Sequence, residues 1–278
     1  MTINCGGKLL DLSSPKVMAI CNITGDSFYE GSRVSDEESL IKMTNRHLEE
    51  GADIIDIGGM SSRPGAKEIP LEDEIEKLTW AVQILRKEFP EIIISIDTYR
   101  SGVVTASLPL GINMINDISG GALDSQLIAT IGQTNLPYIL MHMKGRPETM
   151  QNDTTYEKDI VLSELDYFKS KINDCIHAGI KDIIIDPGFG FGKSLDDNYR
   201  MLHGLSAFSL FELPLMVGLS RKSMIYNVLG VDSEHALNGT SALHMLALLN
   251  GAKLLRVHDT RAAKECVKLY SKYIQVNK

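Results

Sequence analysis

Eight short apolar runs recur along the 278-residue chain, and most of them stop at an acid, an amide, a base or a glycine. Residues 17–21 stop at Asn22, 53–57 at Gly58, 92–96 at Asp97 and 113–115 at Asn116. Residues 138–141 stop at His142, 183–185 at Asp186, 215–219 at Ser220 and 254–257 at His258. Continuous apolar runs of this length suit parallel strands buried on both faces. Longer amphipathic segments lie between them, at 36–50, 71–89, 123–131, 156–178, 196–205, 222–229, 235–250 and 262–273. Eight such runs with amphipathic segments among them predict an α/β chain folded as a single (β/α)8 TIM barrel, with the polar strand ends gathered on one rim.

The length suits one barrel domain over residues 1–278, with residues 1–14 read as a short ribbon or cap at the closed end. A net charge of −8 argues against nucleic acid as a partner. No apolar stretch is long enough to span a bilayer, and residues 1–16 lack the apolar core of a signal peptide, so no membrane partner is expected. Cys5, Cys21, Cys175 and Cys266 lie far apart with no Cys-x-x-Cys spacing, which fits a reducing cytoplasm better than a disulfide or zinc framework. Three long connections, 23–35, 60–70 and 143–155, come after strands and would sit on the carboxyl rim, where long loops are usually functional.

Asp97 and Asp186 each follow an apolar strand directly, and Asn116 ends a third. A buried carboxylate is costly unless paired or hydrogen-bonded. At a rim, two acids and an amide can read the ring N–H and amino groups of a heterocycle. The competing reading of any one of them is a strand-end or helix cap. Arg256 and His258 lie two apart and share one face of their strand, so turned inward they can clamp an anion. Turned outward they would make surface ion pairs. Arg63, in Ser61-Ser62-Arg63-Pro64-Gly65, and Arg221-Lys222 supply further rim cations.

The run Gly188-Phe189-Gly190-Phe191-Gly192-Lys193 fails as a P-loop because Pro187 holds the leading position. Its glycines let the backbone pass close to a flat ligand, with plain turn chemistry as the alternative. Asn22, Asp26 and Glu30 form an oxygen set able to help hold Mg2+ on a diphosphate, and an Asx-turn explains the same residues. No His-x-His pair or Gly-x-Ser-x-Gly elbow is present.

Taken in order, these segments resemble the bacterial dihydropteroate synthase family, a group of pterin-binding TIM barrels. The resemblance is carried by Asn22-Ile23-Thr24-Gly25-Asp26-Ser27-Phe28, Asp56-Ile57-Gly58-Gly59-Met60-Ser61-Ser62-Arg63-Pro64-Gly65 and Ser95-Ile96-Asp97-Thr98. It continues through Asn116-Asp117, Met141-His142-Met143, Asp186 to Lys193, Ser220-Arg221-Lys222-Ser223 and Arg256-Val257-His258. It implies a transferase that condenses 7,8-dihydropterin-6-ylmethyl diphosphate with 4-aminobenzoate in folate biosynthesis. It implies that Asp97, Asn116, Asp186, Lys222 and Arg256 bind the pterin, while Asn22, Arg256 and His258 bind the diphosphate. Ser62, Arg63, Pro64, Phe191 and Ser223 would shape the aminobenzoate pocket. Asp97, Lys222 and Arg63 would be the catalytic set, Mg2+ the cofactor held at Asn22, and a homodimer the assembly. A methyltetrahydrofolate:corrinoid methyltransferase on the same barrel needs neither the Ser-Arg-Pro segment nor a diphosphate clamp, so Arg63, Arg256 and His258 argue against it. A pterin-binding paralogue without turnover is the third reading. The chain departs from the family pattern at Gly25 (usually Pro), Glu30 (Asp), Met60 (often Glu) and Ser62 (often Thr).

Overall fold

The computed structural model describes residues 1–23, 33–60 and 68–276. The chain opens with an antiparallel hairpin, β1 (Thr2–Cys5) and β2 (Lys8–Asp11), turned by Gly6 and Gly7 at φ values of 62° and 93°. Only glycine adopts such values without strain. Eight parallel strands come next: β3 (Lys16–Asn22), β4 (Ile54–Gly58), β5 (Ile93–Asp97), β6 (Met114–Asp117), β7 (Tyr138–Met141), β8 (Ile183–Asp186), β9 (Met216–Val217) and β10 (Leu254–Val257). Their order is β8-β7-β6-β5-β4-β3-β10-β9. The seam between β8 and β9 closes through one bridge, Ile185 with Leu215. Pro214 precedes that bridge and has no N–H to give; its carbonyl accepts from the Ile185 amide at 3.0 Å. The result is a nearly closed (β/α)8 barrel.

Strand alternation sorts the barrel residues. Val17, Ala19, Ile55, Ile94, Ile115, Ile183 and Leu255 face outward into the main core, against the helices. Met18, Ile54, Met114, Ile139, Ile184, Met216 and Leu254 face inward and pack with Ile3, Cys5, Leu10 and Leu12 of the hairpin. The hairpin therefore plugs the amino-terminal end of the barrel. Each fully buried aliphatic side chain contributes about 1.5–3 kcal/mol. That apolar lower half offsets the cost of a polar layer above it. Further along the same inward faces, five strands present Asp56, Asp97, Asn116, Asp186 and Arg256.

The helices are α1 (Arg33–Glu49), α2 (Leu71–Glu88), α3 (Ser101–Ser107), α4 (Leu127–Gly132), α5 (Ile160–His177), α6 (Leu195–His203), α7 (Ser223–Leu229), α8 (Leu237–Leu249) and α9 (Thr260–Gln275). The sequence pattern does not reveal α3, because Gly102, Val103, Val104 and Thr105 are poor helix formers and Pro109 comes soon after. Tertiary contacts override that: Val103 and Val104 are buried, and the Ser101 amide and hydroxyl both donate to Asp124 Oδ2 at 2.7 Å. The helix expected from residue 156 begins only at Ile160, where Asp159 caps it by accepting from the Val161 and Leu162 amides. None of the described helices is long and apolar enough to cross a membrane.

Candidate functional site

The barrel floor carries a charge cluster built from β4, β5, β6 and β10. Arg256 on β10 donates Nε–H to Asp56 Oδ2 at 2.7 Å and Nη2–H to Asp97 Oδ2 at 2.5 Å. Asn116 on β6 donates Nδ2–H to the same Asp56 Oδ2 at 3.0 Å, leaving its own carbonyl oxygen for another donor. Burial, opposed by Arg256, pushes the Asp97 carboxyl up to about 7. Burial also works against the Arg256 charge, yet Asp56 and Asp97 overcome it and hold the guanidinium above its usual value. Asp56 is not singled out by the sequence motifs as a site residue. Its signal is its inward parity, two residues from Ile54 in an otherwise apolar strand.

Asp186 and Lys222 form the second polar pair. Asp186 ends β8 and accepts from the Gly188 amide at 2.8 Å through Oδ1; burial raises its pKa, and Lys222 pulls against that. Lys222 sits at the start of α7, donates to the Phe189 carbonyl and lies 4.7 Å from the Phe191 ring centroid. Burial pushes its ammonium down to about 7, with Asp186 opposing. The neighbouring Arg221 has a φ of 54°, which turns it away to grip Asp259 at 2.7 and 2.9 Å. Arg221 is thus tied to the fold, while Lys222 faces the barrel mouth. A Cβ at Gly190 would lie 3.4 Å from Lys222 Cδ, so the glycine turn runs close beside that lysine.

Lys193 anchors the same turn from behind. Its buried Nζ lies 2.9 Å from Glu164 Oε1 on α5 and donates to the Gly188 carbonyl at 3.0 Å. His142 Nδ1 is 2.9 Å from the same Glu164 oxygen, and burial lowers the pKa of that imidazole. The rim histidine His142 is therefore a packing partner of this buried pair rather than a group facing the mouth.

Asn22 and His258 are exposed at the ends of adjacent strands. A Cβ on Gly58 would meet Asn22 Oδ1 at 3.1 Å and Asp97 Oδ2 at 3.6 Å, so the missing side chain lets these two groups converge. His258 Nδ1 lies 3.2 Å from Ser220 Oγ. An apolar shelf stands beside this mouth: Tyr99, Ile118 and Met141, with Met60, Leu123, Met143 and Phe191 packed against it. Ser223, the first residue of α7, is exposed. Ser62, Arg63, Pro64, Asp26 and Glu30 lie outside the described residues.

Mg2+ keeps several waters and needs only one or two protein oxygens when a diphosphate supplies the rest. Among the described residues no group of three histidines, cysteines or acids could hold a metal. The neutral Asn22 oxygen at the mouth fits an ion delivered with a substrate diphosphate. A separate cavity of about 390 Å3 lies outside, against the starts of α5 and α6; its cations Lys158 and Arg200 are already paired with Asp166 and Asp197.

Known proteins share this fold and much of this sequence. Residues 18–258 match the family model described as pterin binding enzyme. The chain is 41% identical over 272 residues to the dihydropteroate synthase of Escherichia coli (strain K12), covering 97% of this chain and 95% of that one. It is 38% identical over 272 residues to the dihydropteroate synthase of Haemophilus influenzae, covering 97% and 98%. Its backbone superposes with a TM-score of 0.92 on a Yersinia pestis dihydropteroate synthase solved as a sulfonamide drug complex, at 37% identity, over 99% of this chain and 100% of that one. A Xanthomonas albilineans dihydropteroate synthase solved with 4-aminobenzoic acid gives a TM-score of 0.89 at 34% identity, over 98% and 97%.

Proposed function

Because the chain belongs to the family of pterin-binding enzymes, we infer that its barrel joins 4-aminobenzoate to 7,8-dihydropterin-6-ylmethyl diphosphate, the reaction of a dihydropteroate synthase. The observation that carries this reading is the ladder of inward polar groups above an apolar plug. Asp97, Asn116 and Asp186 offer acceptors to ring N–H and amino groups, and Lys222 and the Asn116 amide offer donors to ring carbonyl and nitrogen. Phe191, under the Lys222 ammonium, offers an aromatic face near the same place.

The chemistry needs no protein nucleophile. The methylene C–O bond to diphosphate breaks, and the electron pair leaves with the diphosphate. The carbon gains positive charge, which the Asp97 carboxylate stabilises through space. The neutral arylamine nitrogen then forms the C–N bond and sheds one proton. Arg256 holds Asp97 in position and opposes the burial that would protonate it. Asn22 and His258, exposed at the mouth, are suited to the diphosphate. Mg2+ bound there with Asn22 would neutralise the leaving group. Ser62, Arg63 and Pro64, with Phe191 and Ser223, are proposed to orient the arylamine.

A homodimer is proposed on one further feature. Helix α8 packs between α7 and α9, yet Ala242, Leu246 and Leu249 form an exposed stripe at i, i+4 and i+7. Leu246 is 46% and Leu249 51% exposed. An apolar stripe on a helix already flanked on both sides suits a second copy of this chain. Four buried, unbridged cysteines suit a reducing cytoplasm. The test of function is incubation with the pterin diphosphate, 4-aminobenzoate and Mg2+. Diphosphate release that requires the arylamine and stops with a chelator supports the reading; pterin binding without such release sinks it.

A further inference from the structure

We propose that Lys193 is a positioning residue for the pterin site: its ammonium pins the turn at 188–192, and that turn holds Asp186 and Lys222 in place to read a pterin. The turn touches both members of the pair. The Gly188 amide donates to Asp186 Oδ1 at 2.8 Å, and the Phe189 carbonyl accepts from the Lys222 ammonium. One dipeptide therefore stands between the acid that ends β8 and the base at the start of α7. Lys193 brackets that dipeptide. Its Nζ donates to the Gly188 carbonyl at 3.0 Å and to the Phe191 carbonyl at 3.3 Å. The third side of the ammonium meets Glu164 Oε1 at 2.9 Å, with His142 Nδ1 at 3.1 Å. An ammonium carries three N–H groups, so it can gather three acceptors around one point.

The ammonium is itself firmly held. The Lys193 and Glu164 side chains are both fully buried, so water and salt screen their attraction little. Hydrogen bonds from a charged donor are also roughly twice as strong as neutral ones. Two further side chains complete the turn. Gln151 Nε2 donates to the Gly190 carbonyl at 2.7 Å, and the Tyr156 hydroxyl donates to the Gly192 carbonyl at 3.0 Å. Every carbonyl from 188 to 192 thus accepts from a side chain, and the Phe189 carbonyl is the one given to Lys222. A Cβ at Gly188 would collide with the His142 carbonyl, so the turn lies against the exit of β7. Removing Lys193 frees the carbonyls on either side of Phe189, and Lys222 loses a fixed acceptor. A site held ready in this way has less order to gain when its ligand arrives. This inference rests on the synthase reading for its ligand, and on the bonds of the turn for its mechanism.

Lys193→Met paired with Glu164→Gln removes both charges together, so no lone buried ion is left to unfold the chain. The Kd for the pterin diphosphate, measured by calorimetry without arylamine, should rise on the order of tenfold, the worth of one hydrogen bond to a charged group. Added to Lys222→Met, the same two changes should cost less than about threefold more, because the ammonium they position is already gone. The amides at 188–192 should exchange hydrogen faster in the paired variant than in the parent protein. Leu12→Ala weakens the fold from the hairpin plug at the opposite end of the barrel, and it should move the pterin Kd by less than about twofold. An unchanged pterin Kd, the full loss repeated on top of Lys222→Met, an equal rise in Leu12→Ala, or unchanged exchange at 188–192 overturns the role. Should the parent protein bind no pterin, the synthase reading falls, and exchange at 188–192 still decides whether Lys193 pins the turn.

Discussion

Replacing Arg256 with methionine isolates the charge balance on which the barrel floor depends. The guanidinium lies 2.7 Å from Asp56 and 2.5 Å from Asp97, whose side chains are 0% and 11% exposed. Methionine fills much of the same volume but leaves both carboxylates without their cation. Breaking a buried pair in this way costs about 3–5 kcal/mol. For a chain of this size that corresponds to a fall in Tm of roughly 6–20 °C. The loss carries a pH signature. The Asp97 pKa stands at about 7, raised by burial above the ordinary carboxylate value of 3.8, with Arg256 pulling it down. A carboxyl raised on folding contributes stability that is full below its unfolded pKa and is lost as pH rises through its folded pKa. Without Arg256 that folded pKa climbs further, so the variant goes on losing stability above neutrality after the parent has stopped. A tenfold weaker acid adds about 1.4 kcal/mol to that loss. Thermal melts followed by circular dichroism at about pH 6 and about pH 8 should therefore show the wider gap at the higher pH. Asp56→Asn in the Arg256→Met background should recover part of the loss. An equal gap at both pH values, or no recovery, refutes the account.

Lys222 and Asp97, both brought to about 7 by burial, predict a bell-shaped kcat/KM for the pterin diphosphate. The lysine charge is lost as pH rises past its pKa and the aspartate charge as pH falls past its own; Lys222→Arg should abolish the alkaline limb, and its persistence would remove Lys222 from that role. Lys193→Met should destabilise by about 3–5 kcal/mol, because it leaves buried Glu164 with His142 but without its lysine. Lys193→Met with Glu164→Gln should cost markedly less, and simple additivity in urea unfolding would contradict the pairing. Leu246→Glu should shift the protein to monomers in sedimentation velocity with its secondary structure intact; an unchanged mass would rule out α8 as the interface.

The barrel and its rim were legible from the run lengths and from where the runs stopped. Those two facts place Asp97, Asn116 and Asp186 on inward positions of three strands, and Arg256 on a fourth. What escaped is what depends on partners distant in the chain. Helix α3 forms against its own propensities because Asp124 receives Ser101. Lys193 resembles a phosphate-loop lysine, yet it is buried against Glu164 on a helix that pattern alone does not align with it. Arg221 and Lys222 read alike as rim cations until the Arg221 φ of 54° sends one to Asp259 and leaves the other beside the glycine turn.

Arg256 shows most clearly why rim position alone does not fix a role. An anion clamp at the mouth and a counter-ion at the floor require the same residue on the same face of the same strand. Depth separates them, and depth comes from register: Arg256 aligns with Met18, one inward step below Ile20 and two below Asn22. At that level Arg256 pairs with Asp56 and Asp97. With those bonds made, the guanidinium opposes the burial that would protonate Asp97. Its bonds to the two aspartates use Nε and Nη2. Asp56, which opens a family segment without being read from the sequence as a site residue, takes one arm of the fork.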